Sequence, residues 1–246
     1  MASRADDLPA APRLGSSIRT AGVDFYFQSI RLVLANAIWG VCLLIDLGIV
    51  TFVSPLLGLL LSPFLAIAAA GVFRLAALIA RDEPPDFSDV TDAWRRYLRP
   101  SLALGAAMVI AGTVLVVDTI GAIGSSNALA WGLATFAAWG LLALGTYALL
   151  AWPILVDPNR ERQSVGARLR LAGLLFAAFP GRMAGLAIVC GVVLIASAIA
   201  FAALITISVA FVALVACRYV LPAADRLEAR LNRVAASGDR SQDDSE

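Results

Sequence analysis

Long apolar runs alternate along this chain with short polar stretches that carry nearly all of its charge. The first run extends from Leu32 to Ala80. At about 1.5 Å per helical residue it is far too long for one crossing of a hydrocarbon core about 30 Å thick. Ser54-Pro55 divides it, because proline lacks a backbone donor and disfavours helix in the residue before it. Two spans near 33–53 and 56–79 are expected from this, and two further runs predict spans near 101–123 and 129–156. The last run, Met183 to Leu221, is long for one crossing and short for two, and no proline or glycine marks a break after residue 191.

Charge bears on that ambiguity. Every one of the 19 basic residues is arginine, and they fall into four groups. Arg4, Arg13, Arg19 and Arg31 precede the first span, and Arg74, Arg81, Arg95, Arg96 and Arg99 flank the second and third. Arg160, Arg162, Arg168, Arg170 and Arg182 separate the fourth from the last run, and Arg218, Arg226, Arg230, Arg233 and Arg240 follow it. The connections near residues 54, 125 and 200 carry none. If the last run crosses once, the final group lies opposite the others. If it crosses twice, near 183–200 and 203–221, all four groups share one side. Cytoplasmic loops collect arginine, so six spans with both termini cytoplasmic is the expectation.

The polar stretches are patterned as well. In "DEPPDFSDVTDAWRRYLRP", Phe87, Val90, Trp94, Tyr97 and Leu98 fall on one helical face, and Asp89, Asp92, Arg95, Arg96 and Arg99 mostly on the other. Asp86 is placed to cap this helix, with acid in its first turn and arginine in its last. A basic amphipathic helix bearing Trp94 beside two spans predicts an interfacial helix on the inner leaflet. Between the fourth and fifth spans, Val165, Leu169, Ala172, Phe176 and Phe179 repeat the pattern, with Arg162, Arg168 and Arg170 as the charged complement. "SSIRTAGVDFYFQSIR" is a weaker third copy, so the chain reads as three units of amphipathic helix followed by hairpin. The expected organisation is a cytoplasmic segment over 1–31, a membrane domain over 32–222, and over 223–246 a short amphipathic stretch with a disordered tail. Trp131, Trp152 and Tyr219 are expected near span ends, and Trp39 and Trp139 deeper, packed between helices.

Composition agrees with an all-α polytopic membrane protein: 60% of the 246 residues are hydrophobic and 15% charged, against about a quarter charged in soluble domains. The arginine-only cations suit a bacterial chain of high genomic GC content, and no basic patch points to nucleic acid. There is no histidine, and Cys42, Cys190 and Cys217 lie singly within apolar runs, so neither a histidine-based metal site nor a disulfide framework is expected. The mostly polar first 31 residues do not resemble a secretory signal. Phosphate-loop, nucleophile-elbow and HExxH motifs are missing, so no catalytic residue, cofactor or metal is assigned and no enzyme is expected.

"FRLAALIARDEPPDFSDVTDAWRRYLRPSLALG", "YALLAWPILVD" and "ARLRLAGLLFAAFPGRMAGLAIV" together resemble the YesL-like integral membrane proteins. In that family a span ending in a basic residue and an acidic turn precedes an amphipathic stretch, and a later span closes on an aromatic-proline-leucine sequence and an aspartate. Arg74, Phe87 and Trp94 lie near the first element, and Trp152-Pro153-Ile154 with Asp157 match the second. The likeness covers about residues 32–222, although the first hairpin is longer here and lacks the family's compact turn. It carries no catalytic residue. It implies a bacterial inner-membrane setting beside sugar-uptake systems, with the ABC-transporter permease subunits as partners and the lipid bilayer as surroundings.

Two intramembrane carboxylates are the candidate polar site. Asp46 and Asp118 lie about 21–26 Å beyond the inner ends of their spans at about 1.5 Å per residue, at similar depth in the outer half. Such acids usually face protein or water, which would make them a proton or cation site. The plainer alternative places Asp118 among outer headgroups and hydrogen-bonds Asp46 to a neighbouring helix. Arg74 is expected to reach inward, away from Asp46. The functional expectation is therefore a non-catalytic accessory of solute uptake, carbohydrate by resemblance, or else a small transporter or channel using these two acids.

Overall fold

The structure of the protein, a computed structural model, describes residues 13–123 and 127–243, with side chains as far as Arg233 in the last helix. Arg4, the connection near Ser125 and the last three residues lie outside the described residues, as do the side chains of Val234 and Arg240. The described chain is helical throughout: α1 (Leu14–Phe27), α2 (Ser29–Phe52), α3 (Pro55–Leu61), α4 (Leu65–Ala80), α5 (Ser88–Ile123), α6 (Ala128–Val156), α7 (Val165–Ala178), α8 (Pro180–Ile199), the short α9 (Phe201–Ala203) and α10 (Val209–Asp243).

Six stretches are long and apolar enough to cross a membrane: Ser29–Phe52, Pro55–Ala80, Ser88–Ile123, Ala128–Val156, Pro180–Ile199 and Phe201–Arg233. The protein is an all-α polytopic helical protein. Its last apolar run is two helices. Ala200, with φ −96° and ψ 72°, leaves the helical region and separates α8 from α9 without proline or glycine. The first run turns where the sequence indicates, with Ser54 Oγ accepting from Leu57 N and Pro55 opening α3. The second span has an interruption of its own, a 3₁₀ turn at Ser62–Phe64 around Pro63.

The centre of the bundle is α4, the second half of α6 and the first half of α10. Leu75, Leu150, Ile154, Leu155, Leu214 and Leu221 are fully buried there. Gly71 of α4 makes one contact possible, since a Cβ there would sit 2.6 Å from Trp94 Nε1 and 2.7 Å from Val90 Cγ1. The outer faces are apolar and exposed, as lipid contact requires, with Phe136 78% and Ile199 86% exposed. Trp131 and Trp139 are also exposed. The placement of Trp139 between helices is therefore corrected; on a helix apolar all round, the sequence does not mark which face meets the core. Trp152 and Tyr219 are buried, and Trp152 stacks on Phe73 at 5.9 Å.

Three other expectations change. The stretch carrying Trp94, Arg95, Arg96 and Arg99 is helical, but it is the first part of α5 and runs into the third span with Pro100 inside the helix. At about 1.5 Å per residue its 36 residues measure about 54 Å, so it projects well beyond a hydrocarbon core. Its buried positions are Val90, Ala93 and Tyr97, facing α4, while Phe87 and Leu98 are exposed. It is thus an extension of a span packed on its neighbour rather than a separate interfacial helix. In α7 and its C-cap, Leu169, Ala172, Phe176 and Phe179 pack on the core as expected, but Val165 is exposed and Arg168, placed with the charged complement, is buried because it finds backbone acceptors. Finally, α10 continues through Asp243, so the polar tail expected to be disordered is helical to that residue; a helix already nucleated extends at little cost.

Arg218 shows which ends meet. Its Nε donates to Asp24 of α1 (2.7 Å), its Nη1 to Ala80 O (3.2 Å) and its Nη2 to Asp82 (2.9 Å). The α1 helix, the α4–α5 connection and the extension of α10 therefore share one polar face. Asp82 closes α4 in the left-handed region at φ 57°, with Glu83 N returning to Leu78 O. In a chain lacking its native cysteines, single cysteines at Ser54 or Ala200 should react with an impermeant maleimide from one side of sealed vesicles, and cysteines at Asp82 or Arg233 only from the other. Labelling of all four from one side would contradict the six-crossing arrangement.

Candidate functional site

Five charged side chains on the polar face, Arg81, Asp157, Arg160, Asp225 and Glu228, are joined in one cluster. The end of α6 supplies its centre. Asp157, fully buried, caps a 3₁₀ turn (Pro158–Arg160) by accepting from Asn159 N, and it receives Nε and Nη2 of Arg81 at 3.1 and 2.6 Å. Arg160, 2% exposed, also donates to Asp157. The same two arginines reach α10: Arg81 makes two bonds to Asp225 (2.6 and 3.0 Å), and Arg160 bonds Asp225 (2.5 Å) and Glu228 (2.6 Å). Gln163 Nε2 completes Glu228 at 3.0 Å. Burial works against the charge on Arg81, but hydrogen bonds to Asp225 and Asp157 outweigh it and hold its pKa above the ordinary arginine value. Arg160 behaves alike, its burial overcome by the bond to Glu228 and the fields of Asp157 and Asp225.

Two further arginines close the flanks. Arg74, inside the second span, reaches out of it: Nη1 donates to Val156 O (2.9 Å) and Nη2 pairs with Glu161 (2.7 Å), which also pairs with Arg96. Arg74 therefore points away from Asp46, as expected. Arg168 is buried and donates to the carbonyls of Leu155, Glu161 and Gln163, with its guanidinium 5.8 Å from the Tyr97 ring. Arginine keeps its proton in proteins, so these groups supply fixed charge and geometry. What they achieve is a tie between α4, α5, α6, α7 and α10 at one level.

A second polar contact lies within the membrane part. Between α9 and α10 the helix widens into a π-turn at Leu204–Ser208. Asn36 of α2, fully buried, donates through Nδ2 to Leu204 O (3.1 Å) and Ile205 O (2.6 Å) and accepts at Oδ1 from Ala210 N (2.7 Å). Gly40, one turn on, permits the approach, because a Cβ there would lie 2.8 Å from Ile205 O. Backbone groups in a bilayer must be satisfied by protein, and here one amide side chain serves three of them.

The candidate carboxylates are placed apart. Asp46 is half-buried beside a cavity of about 230 Å³ lined by Cys42, Ile45 and Ile49 of α2 with Leu61, Phe64 and Leu65; its Oδ1 is buried with no hydrogen-bond partner. Asp118 is exposed on α5, and no α5 residue lines the cavity of Asp46. Of the expected interfacial residues, Arg96 joins the cluster through Glu161, Arg95 and Arg99 are exposed, and Trp94 packs on Gly71. Among the described residues, no group of three histidine, cysteine or acidic side chains is placed to hold a metal.

Asp157, Arg160, Asp225 and Glu228 carry the cluster, and their pairing was not deduced from the sequence. Asp157 is visible there as the acid ending a span, and Asn36 as the amide in the first apolar run; Arg160 is only three residues from Asp157, but Arg81 and the partners of Asn36 are distant in the chain and leave no local signature. Comparison of the chain with family models, curated proteins and solved structures finds no match.

Replacing Asn36 with leucine should lower stability by about 2 kcal/mol, taking three intramembrane hydrogen bonds at about 0.6 kcal/mol each. Unfolding titrations in bicelles measure this, and a leucine variant as stable as the parent would contradict the assigned contact.

Proposed function

We propose that this is a bacterial inner-membrane protein that acts as a non-catalytic partner in solute uptake, with its polar face in the cytoplasm. The observation that carries the reading is where the ionisable groups lie. They tie helix ends together at one face, while the centre of the bundle is filled by apolar side chains such as Leu75, Ile154 and Leu214. That is the construction of a rigid membrane scaffold. Orientation follows from arginine: its groups gather on the face that the positive-inside rule assigns to the cytoplasm. Carbohydrate as the solute class, and ABC-transporter permease subunits as the partner, rest on the resemblance to the YesL-like proteins.

A second reading has one observation in its favour. Asp46 presents an unpartnered buried oxygen beside a cavity, as a proton- or cation-binding acid would. The exposure of Asp118 on another helix weighs against the two acids acting as a pair.

Crosslinked, tagged purification from native membranes separates the two readings. Stoichiometric recovery of transporter permease subunits, unchanged by Asp46→Asn with Asp118→Asn, is the expected result. Recovery of the protein alone, with solute flux that the double variant abolishes, would replace the partner reading with a transporter.

A further inference from the structure

The half of α6 remote from the polar cluster is bare on one side. Every residue from Leu150 to Val156 is buried, whereas between Ala128 and Gly145 only Ala134 and Ala137 are. Gly140, where a Cβ would meet Leu115 Cδ2 at 3.0 Å, shows that this packed side faces α5. On the opposite side Gly132, Thr135, Trp139 and Leu142 recur at intervals of three, four and three residues, all exposed, Trp139 by 66%. That spacing is the seam along which two helices pack at a small left-handed crossing. It ends at Thr146, which is buried in the bundle.

Two residues of the seam carry complementary chemistry. At about 1.5 Å per residue α6 is about 43 Å long, and Trp139 lies about 17 Å from its start. The backbone of Trp139 is therefore about 10 Å inside a hydrocarbon core about 30 Å thick centred on the helix. Tryptophan favours the interface instead, because its indole N–H is a donor that hydrocarbon does not satisfy. Among the described residues no acceptor receives that N–H. Thr135, one turn nearer the start of α6, donates its hydroxyl proton to Trp131 O (2.9 Å), which leaves the Oγ1 lone pairs to accept. Helical side chains lean toward the N-terminus, so the Trp139 ring leans toward the level of Thr135.

We propose that this face of α6 is the interface of a homodimer, in which the Trp139 indole N–H of each copy donates to Thr135 Oγ1 of the other. A second copy is the occupant that the face itself specifies. Rotation about an axis along the membrane normal brings the same seam to the same depth and in the same direction. It sets the donor and acceptor of each copy against the acceptor and donor of the other, so two equivalent bonds form at once. Gly132, with nothing within 4 Å of where a Cβ would lie, lets the two backbones approach closely beside the bonded pair. Lipid in the same place leaves both indole donors unanswered. Such a dimer stands whether or not the protein serves solute uptake.

The test is energy transfer between full-length chains, fused at the C-terminus to monomeric donor or acceptor fluorescent proteins, in phosphatidylethanolamine–phosphatidylglycerol vesicles. Transfer measured over a range of protein-to-lipid ratios should follow a monomer–dimer equilibrium. An intramembrane hydrogen bond is worth about threefold in an equilibrium constant. Trp139→Phe and Thr135→Val each remove both bonds, so each should weaken dimerisation on the order of tenfold. The two substitutions together should weaken it no further than either alone, because they break the same bonds. Both positions are exposed, which keeps the fold of each variant intact, and Ile195→Ala on the exposed side of α8 should leave the equilibrium unchanged. A protein monomeric at every ratio would overturn the dimer and leave the face to lipid or to the span of a different protein. Dimers indifferent to both substitutions, or losses that add in the double variant, would overturn the assigned interface.

Discussion

A carboxylate without solvent, held between two arginines, is the constraint around which the polar face is built. Asp157 is fully buried, and a lone charge in that position would be strongly unfavourable. Arg81 and Arg160 make it tolerable, and because each arginine has donors left over, each also grips α10 through Asp225 or Glu228. The end of α4, the end of α6 and the extension of α10 therefore take fixed positions relative to one another. Arg74 and Arg168 extend the same logic to backbone carbonyls at the end of α6, and Arg218 extends it to α1. In lipid the hydrophobic effect does little to hold spans together, so such polar ties and close packing carry more of the specificity.

How far this was legible in the sequence depends on the kind of signal. Span number came from run length and from arginine distribution, and six long apolar helices agree with it; the helices of the third and last spans extend well beyond the expected limits. The break at Ala200 was placed by charge alone, without a breaker residue, and the chain does interrupt its helix there. Helix faces fared less well. Arg168 was assigned to the solvated side of its helix because arginine usually belongs there, yet carbonyls at a bent span end offered it a buried seat. Trp94 was assigned to the leaflet, whereas Gly71 leaves room for its ring against α4. A pattern along one helix does not reveal what a neighbouring helix leaves open.

The two interiors of the molecule are polar for different reasons. At the polar face, charges are opposed by charges, and water is near. Within the membrane part, Asn36 answers backbone groups that a π-turn displaces from their usual partners. Asp46 has neither solution at its Oδ1. Distinguishing these by the partner each group has, or lacks, separates what holds the fold together from what could serve a ligand.

The central claim is that Asp157 and Arg160 act as one unit that fixes the helix ends. The direct test is a double-mutant cycle on unfolding free energy in bicelles, using Asp157→Ala, Arg160→Ala and both together. Each single substitution should cost about 3–5 kcal/mol, because it leaves a buried charge short of one of its partners, and the double should cost clearly less than their sum. Single variants within about 0.5 kcal/mol of the parent, the range of ordinary surface substitutions, would contradict the account, as would strictly additive losses.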